Sequence, residues 1–484
     1  MKRVYMASLV VFALAFLVRL VCLVQVSSSP MFTVLMGDAM GYDAWAQQIA
    51  AGNWLGDSIF YQAPLYPYLL ATIYTVVGHD LFAARMFQIV LGSCGCVFLA
   101  WTGRLLFRNP TGLIAGLLLA LYPPAIFFDL IIQKGSLGLF FSTLLLLLLA
   151  RASIRPNPGI LAAVGATLGL FALTRENALI LAAVILVWLL LNPSSEPYSM
   201  RRTRPKWFLL GLFAVLLPVG ARNYKVGGQF LITTSQFGPN FYIGNNPDTQ
   251  GLYESLRPGR GDPRFERLDA TELAEADTGR SLSPKEVSDY WTDRALAYIR
   301  SDPAGWARLI LRKWMLVWNA AEFADAEDIE SYADASSALR TLGRVAHFGT
   351  LFPLAAFGIY ATWNHRRRLW WLYAMAIAIT AAIALFYVFA RYRLPLIPIL
   401  ALFAAAALVY GRSLIKRRRT KGLLIGLACA AAVAIASNWT LVPGYEPRMA
   451  TYTNIGAVLA DNGRHLEAID YYNRALAINP NLSE

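Results

Sequence analysis

The stretch MASLVVFALAFLVRLVCLVQVSSSPMFTVLMGDAMGYD, residues 6–43, runs from a long apolar segment straight into two carboxylates, Asp38 and Asp43, on either side of Tyr42. Crossing the hydrocarbon core of a bilayer takes about 20 mostly apolar residues, and residues 6–26 supply them. Charges placed this close to a membrane are costly unless a site uses them. The stretch therefore describes a membrane-embedded protein with a polar, chemically active outer face.

Composition extends this to the whole chain. Hydrophobic residues make up 57% of the 484 and charged residues 15%, against about 25% charged in an average soluble domain. Lys2 and Arg3 flank the first span and no small-residue cleavage site follows it, so it reads as a retained anchor. Further spans are expected near 81–103, 111–128, 135–150, 159–174, 177–192, 207–222, 342–363, 369–390, 394–411 and 422–441, about eleven in all. The expected fold is an all-α polytopic membrane bundle. Arg104 and Arg108, Arg151 and Arg155, residues 201–206, residues 366–368 and residues 416–419 place their positive charge in alternate loops, with Glu196 the exceptional acid among them. The positive-inside rule puts these loops and the N-terminus in the cytoplasm. Much of the net charge of +13 is thus topological and gives no footprint for nucleic acid.

The opposite face receives loops 27–80 and 223–341 and the tail after Leu441. In the first loop, Trp45, Ala46 and Ile49 recur at helical spacing over residues 42–51, and a second short helix is expected from Pro64 to a stop at Gly78. The second loop ends in DPAGWARLILRKWMLVWNAAEF, residues 302–323. Its Trp306, Leu309, Ile310, Lys313, Trp314 and Val317 form one helical face suited to an interface rather than a span. Cys22, Cys94, Cys96 and Cys429 all fall in apolar spans, which predicts no structural disulfide. His79, His347, His365 and His465 lack metal-ligand spacing. Residues 445–484 fit one tetratricopeptide-like hairpin, with Gly456, Gly463, Ala468, Ala475 and Pro480 where two packed helices need small residues and a stop. One repeat cannot bury its face alone, so it packs on the rest of the chain, binds a protein partner, or belongs to a longer array.

These pieces carry a resemblance. DxxxYDxWAxxIAxG beginning at Asp38, APLYPYLLA at 63–71, ARMFQIVLG at 84–92, TREN at 174–177, NFYIGNNP at 240–247 and ARYRLPLIP at 390–398 occur in order and in matching topological positions. Over roughly residues 1–440 the chain resembles the GT-C integral-membrane glycosyltransferases of the family 39 type. Specifically, it resembles bacterial relatives of protein O-mannosyltransferases, lipid A aminoarabinose transferases and rhizobial galacturonosyltransferases. The resemblance implies transfer of a sugar from a polyprenyl-phosphate donor to a lipid, glycan or protein acceptor at the outer face of a bacterial cytoplasmic membrane. It makes Asp38 the expected catalytic carboxylate, a base for the acceptor hydroxyl in an inverting displacement. Asp43 and Asp129 are the alternative carboxylates.

The leaving group is a phosphate, which calls for cations beside the outer leaflet. Lys134, Arg175, Arg391 and Arg393 lie where positive-inside bias does not account for them, and Lys313 is a further candidate. Each has a plainer reading as a snorkelling or ion-paired side chain, for instance Arg175 with Glu176. Tyr42, Asn240, Tyr242, Asn245 and Asn246 are candidates for binding sugar or acceptor, against the plainer reading of tight turns. Two features depart from the pattern. Gln62 stands where many relatives carry a lysine, so another cation must serve. Ala39 follows Asp38 where several relatives have Glu, so a divalent ion is disfavoured for want of a second carboxylate. A carrier of lipid-linked glycans and an assembly factor acting through the C-terminal repeat are the competing readings. Discontinuous helices in repeated halves, expected of a transporter, are not seen in the sequence.

Overall fold

The computed structural model describes residues 2–107, 109–191, 198–261 and 263–480, and among them it is helical without strands. Arg108 and Glu196 lie outside the described residues. α1 (Lys2–Val26) is followed by two short helices, α2 (Asp38–Ala50) and α3 (Leu65–Val77). Then come α4 (Leu81–Leu106), α5 (Asn109–Ala120), α6 (Pro123–Leu130), α7 (Gly135–Ile154), α8 (Pro158–Ala172), α9 (Ile180–Leu191) and α10 (Tyr198–Gly227). The second long excursion holds α11 (Phe237–Gly244), α12 (Pro263–Thr278), α13 (Pro284–Ser301), α14 (Pro303–Val317) and α15 (Ile329–Ala335). The bundle resumes with α16 (Ser337–Gly343), α17 (Phe348–Ala361), α18 (Arg366–Ala384), α19 (Ala390–Arg393), α20 (Ile397–Lys416) and α21 (Thr420–Ser437). It is followed by a hairpin of α22 (Pro447–Asp461) and α23 (His465–Ile478).

The protein is an all-α, multi-pass membrane protein. Six described helices are long and apolar enough to cross a membrane, rising to eight if the bent pairs α5–α6 (51°) and α16–α17 (43°) each count as one span. This is fewer than the eleven expected. The difference lies in α8 and the apolar segment Glu176–Leu191, which are shorter, and in α18, which opens on three arginines.

Small residues decide how closely the helices approach, as they do wherever lipid supplies no hydrophobic drive between helices. A Cβ on Gly165 of α8 would sit 1.9 Å from the Phe208 carbonyl oxygen of α10, and one on Gly211 of α10 would sit 1.9 Å from that of Ala162. Gly358 meets Phe403 across α17 and α20 in the same way, at 1.8 Å. We expect Gly165→Ala to force α8 and α10 apart and cost about 1–3 kcal/mol, read as a lowered melting temperature in detergent. An unchanged melting curve would show that this contact does not limit stability.

The first loop differs from expectation at its start. α2 begins at Asp38, not near residue 42, because Gly37 takes φ 53° and ψ −127°, a backbone conformation essentially reserved for glycine. Gly37 is the N-cap, and Asp38 lies in the first turn with its side chain free for other partners. α3 ends as expected at Gly78, with φ 84°. α14 is capped by the Asp302 carboxylate, which accepts from Gly305 N at 2.8 Å, and it buries Leu309, Lys313, Leu316 and Val317 as one face.

Candidate active site

Four of the expected charged residues converge on one cavity of about 390 Å³, namely Asp38, Lys134, Arg175 and Arg391. Each arrives from a different element. Asp38 comes from the first turn of α2, and Lys134 is the residue before α7. Arg175 follows α8, and Arg391 lies in α19. Their exposures are 6%, 6%, 3% and 8%, so their charges interact through protein more than through water.

Arg391 organises the acidic part. Its Nη1 pairs with Asp38 Oδ2, and with Asp325 Oδ2 at 2.7 Å. Gln62 Nε2 donates to Asp38 Oδ1 at 3.1 Å. Burial by itself would raise the pKa of Asp38, but Arg391, Lys134 and these hydrogen bonds outweigh it and hold the carboxyl below its ordinary value. Asp325 goes the other way, raised by burial and by the charge of Asp38 despite Arg391. The two carboxylates are thus companions, which corrects the expectation that Asp38 has no second carboxylate near it. The Arg391 guanidinium is held by both, and no group of three His, Cys, Asp or Glu side chains placed to hold a metal ion assembles among the described residues.

Lys134 and Arg175 have a different character. Neither forms an ion pair with a carboxylate among the described residues, and Nε and Nη2 of Arg175 are buried without a hydrogen-bond partner. Arg175 does not pair with Glu176, whose Oε1 accepts from Thr234 at 2.9 Å and Gln236 at 2.8 Å instead. Lys134 Nζ lies 5.7 Å from the Tyr42 ring centroid, and the Arg175 guanidinium 5.2 Å from that of Tyr392. Burial lowers both, Arg175 to about 10 with the charge of Arg391 contributing. Buried cations left unmatched are expensive and suit an anionic ligand that supplies the missing charge.

The other cavity walls are polar and aromatic. Tyr387 OH donates to Asn240 Oδ1 at 2.7 Å, and Tyr61 OH donates to Glu266 Oε1 at 3.2 Å. Burial, with the Asp38 charge adding to it, pushes the Glu266 carboxyl up to about 7. A second, much smaller cavity of about 20 Å³ approaches the cluster from another side, lined by Met36, Phe127, Phe128, Glu322, Glu327 and Asp328 among others. The residues common to both linings are Asp38, Asp325 and Arg391. They form the partition between a chamber with spare cations and one rich in acid.

The remaining candidates lie elsewhere. Asp43 faces α3, accepting from Tyr74 OH at 2.6 Å and Gln47 at 2.7 Å, with His79 at 2.9 Å. Asp129 is buried in an ion pair with Arg19 Nε at 2.6 Å. Arg393 ties down a loop, donating to the carbonyls of Val317, Asn319 and Ala321 and pairing with Glu322 at 2.8 Å. Lys313 is fully buried and donates to Gly244 O at 2.5 Å and Asn245 Oδ1 at 3.3 Å. Asn245 donates to the carbonyls of Phe241 and Leu385, and Asn246 to those of Tyr242 and Ile243, while Tyr242 packs 4.8 Å from Trp291. Tyr42 is buried beneath Lys134, outside the cavity lining. Of the sugar-binding candidates, Asn240 alone faces the cavity. Sequence reasoning missed Asp325, Glu266, Tyr253 and Tyr387. Asp325 had a faint signal as an acid directly after the amphipathic helix, whereas the others lie on segments without a motif.

Residues 61–221 match the family model of dolichyl-phosphate-mannose-protein mannosyltransferase, and residues 450–482 match that of the tetratricopeptide repeat. The first match takes in Lys134 and Arg175 but reaches neither Asp38 nor Arg391. No curated protein matches the chain. Among solved structures, the fold is similar to the crystal structure of the Archaeoglobus fulgidus oligosaccharyltransferase in complex with zinc and sulfate, with a TM-score of 0.50 and 15% identity over 96% of this chain. The chain spans 57% of that protein's length. ArnT from Cupriavidus metallidurans, bound to undecaprenyl phosphate, matches with a TM-score of 0.40 and 17% identity, over 84% of this chain and 78% of its own.

Proposed function

We propose that this protein is a glycosyltransferase that takes a sugar from a polyprenyl-phosphate donor and passes it to an acceptor hydroxyl. The observation that carries the reading is the pair of buried, carboxylate-free cations, Lys134 and Arg175, in the cavity that contains Asp38. The match of residues 61–221 to a family named for a lipid-phosphate sugar donor supports it. The domain carrying this chemistry is residues 1–441. The N-terminus is cytoplasmic, and the face bearing α2, α3 and α11–α15 is extracytoplasmic, on a bacterial cytoplasmic membrane.

In this reading the donor phosphate rests on Lys134 and Arg175 with the sugar against Asn240, Tyr253 and Tyr387. The acceptor oxygen attacks the anomeric carbon as the carbon–oxygen bond to phosphate breaks, inverting the centre. The bonding pair leaves with the phosphate, and the two cations stabilise the charge that builds there. The hydroxyl proton passes to Asp38. Because Arg391 holds Asp38 strongly ionised, it must loosen from the carboxylate as the proton arrives. Asp325 is the group placed to keep it meanwhile.

The test is binding of a polyprenyl phosphate to purified protein. A hydrogen bond to a charged group contributes about 1.5–3 kcal/mol, so Lys134→Ala and Arg175→Ala should each weaken binding by about 10–100-fold. Unchanged affinity in both variants would sink the reading. A pH series adds a second check. Glu266 is protonated below about 7 and anionic above it. It shares its surroundings with Tyr61, Tyr253, Asp38, Arg391 and Lys134, so its ionisation adds negative charge beside the ligand phosphate. Affinity should fall as pH rises from 6 to 8, and Glu266→Gln should flatten that slope. The same slope in both proteins would assign it to another group.

A further inference from the structure

The segment 319–328 enters the site from behind, and hydrogen bonds grip it on two sides. On the site side Ala390 N donates to Phe323 O at 2.7 Å, and Arg391 pairs with Asp325 at 2.7 Å. On the far side the partners belong to the chain after α20. Ala320 N donates to Ser437 O at 2.7 Å and Asn319 Nδ2 to Trp439 O at 2.7 Å. Ala324 N donates to Tyr445 Oη at 2.6 Å, and Asn454 Nδ2 donates to Ala326 O at 3.2 Å. The Tyr445 ring also packs 5.2 Å from that of Phe323. Ala324 and Ala326 are the two immediate neighbours of Asp325.

The hairpin is fastened to the same region. Tyr452 OH donates to Asp334 at 2.9 Å, and Arg448 reaches Glu330 at 3.4 Å. Its inner face, Ile455, Leu459, Ala468 and Tyr471, is buried in one cluster with Met31 and Tyr332, while Leu466 on the outer face is 86% exposed. The single repeat thus buries its apolar face against its own chain.

We infer that the C-terminal repeat is built into the active site, with Tyr445 and Asn454 as positioning residues that set the backbone on both sides of Asp325 and so the place of Arg391 beside Asp38. Of the three fates open to a single repeat, packing on the rest of its own chain is the one that makes it part of the site. A backbone amide or carbonyl held by one side chain loses its register when that partner is removed and no water replaces it.

The experiment compares full-length wild type, Tyr445→Phe, Asn454→Ala and, as a control on the exposed face, Leu466→Ala. Hydrogen exchange of the 320–328 amides should speed up by about tenfold or more in the first two variants, with the control like wild type and exchange in α4 and α7 unchanged. In the transfer assay, kcat should fall while donor KM holds, and Asn454→Gln should recover part of the loss. Wild-type exchange at 320–328 in both variants, or acceleration in Leu466→Ala as great as theirs, overturns the inference. The exchange readout needs no substrate. A wild type without transfer activity would therefore count against the proposed function and leave the positioning role to be judged on exchange.

Discussion

Asp38→Asn should lower sugar transfer by about 10²–10⁴-fold, the usual span for removing a general base, while leaving polyprenyl-phosphate binding intact. Asn keeps the shape and can still accept from Gln62, whose Nε2 lies 3.1 Å from Oδ1. It cannot take a proton from the acceptor. Removing the negative charge also frees one of the two carboxylate contacts of Arg391, so anion affinity should hold or rise slightly. Transfer measured from a labelled polyprenyl-phosphate sugar in matched membranes separates the outcomes. Loss of transfer with retained binding places the proton on Asp38. Equal transfer by both proteins removes Asp38 from the chemistry and leaves Asp325 as the carboxylate in the partition. Asp43→Asn should be far milder, because Asp43 is engaged with Tyr74, Gln47 and His79 outside the cavity.

Arg391→Ala should be the most damaging single change to the fold of the site. Two carboxylates, one of them 6% exposed, would remain close together with their shared counter-charge gone. Breaking a buried pair from one side costs about 3–5 kcal/mol, and here one guanidinium serves two acids. We expect a much lowered melting temperature in detergent and no transfer. Arg391→Lys keeps the charge on a shorter, compact ammonium without the planar guanidinium, so it should recover stability more than activity. The double variant Asp325→Asn with Arg391→Ala should melt higher than Arg391→Ala alone, since one stranded acid is then neutral. If it melts at the same temperature, the two carboxylates are not competing for Arg391.

The architecture was legible because lipid writes its demands plainly into a sequence. Apolar runs and alternate basic loops marked a helical membrane bundle, and the repeat signature marked the hairpin. Four of the five cations and carboxylates that meet at the partition or beside it were also legible, since Lys134, Arg175 and Arg391 are charges where topology gives no reason for them. The same logic overreached at Lys313 and Arg393. An isolated charge next to a span is equally well used to tie down backbone carbonyls, and periodicity does not distinguish the two uses. Asn245 and Asn246 failed for a related reason, their amides being spent on local carbonyls. Asp325 was missed because its meaning depends on a contact with Arg391 that forms only once the chain between them has folded. Arg19 was overlooked inside a run read as simply apolar, although a lone charge there was a signal in itself.

That arginine bears on how the protein is made. When α1 leaves the ribosome, Arg19 is a charge in the middle of a segment bound for hydrocarbon, a placement that costs about 2.5–3.5 kcal/mol by insertion scales. Its partner Asp129 is 110 residues further along and has not yet been synthesised. Until α6 is in place, that charge lacks the carboxylate that neutralises it in the folded protein. Arg19 therefore gains its carboxylate partner only once α6 stands beside α1. A chain stalled before residue 129 would display an unpaired intramembrane charge, the kind of mark by which membrane quality control tells unfinished bundles from finished ones.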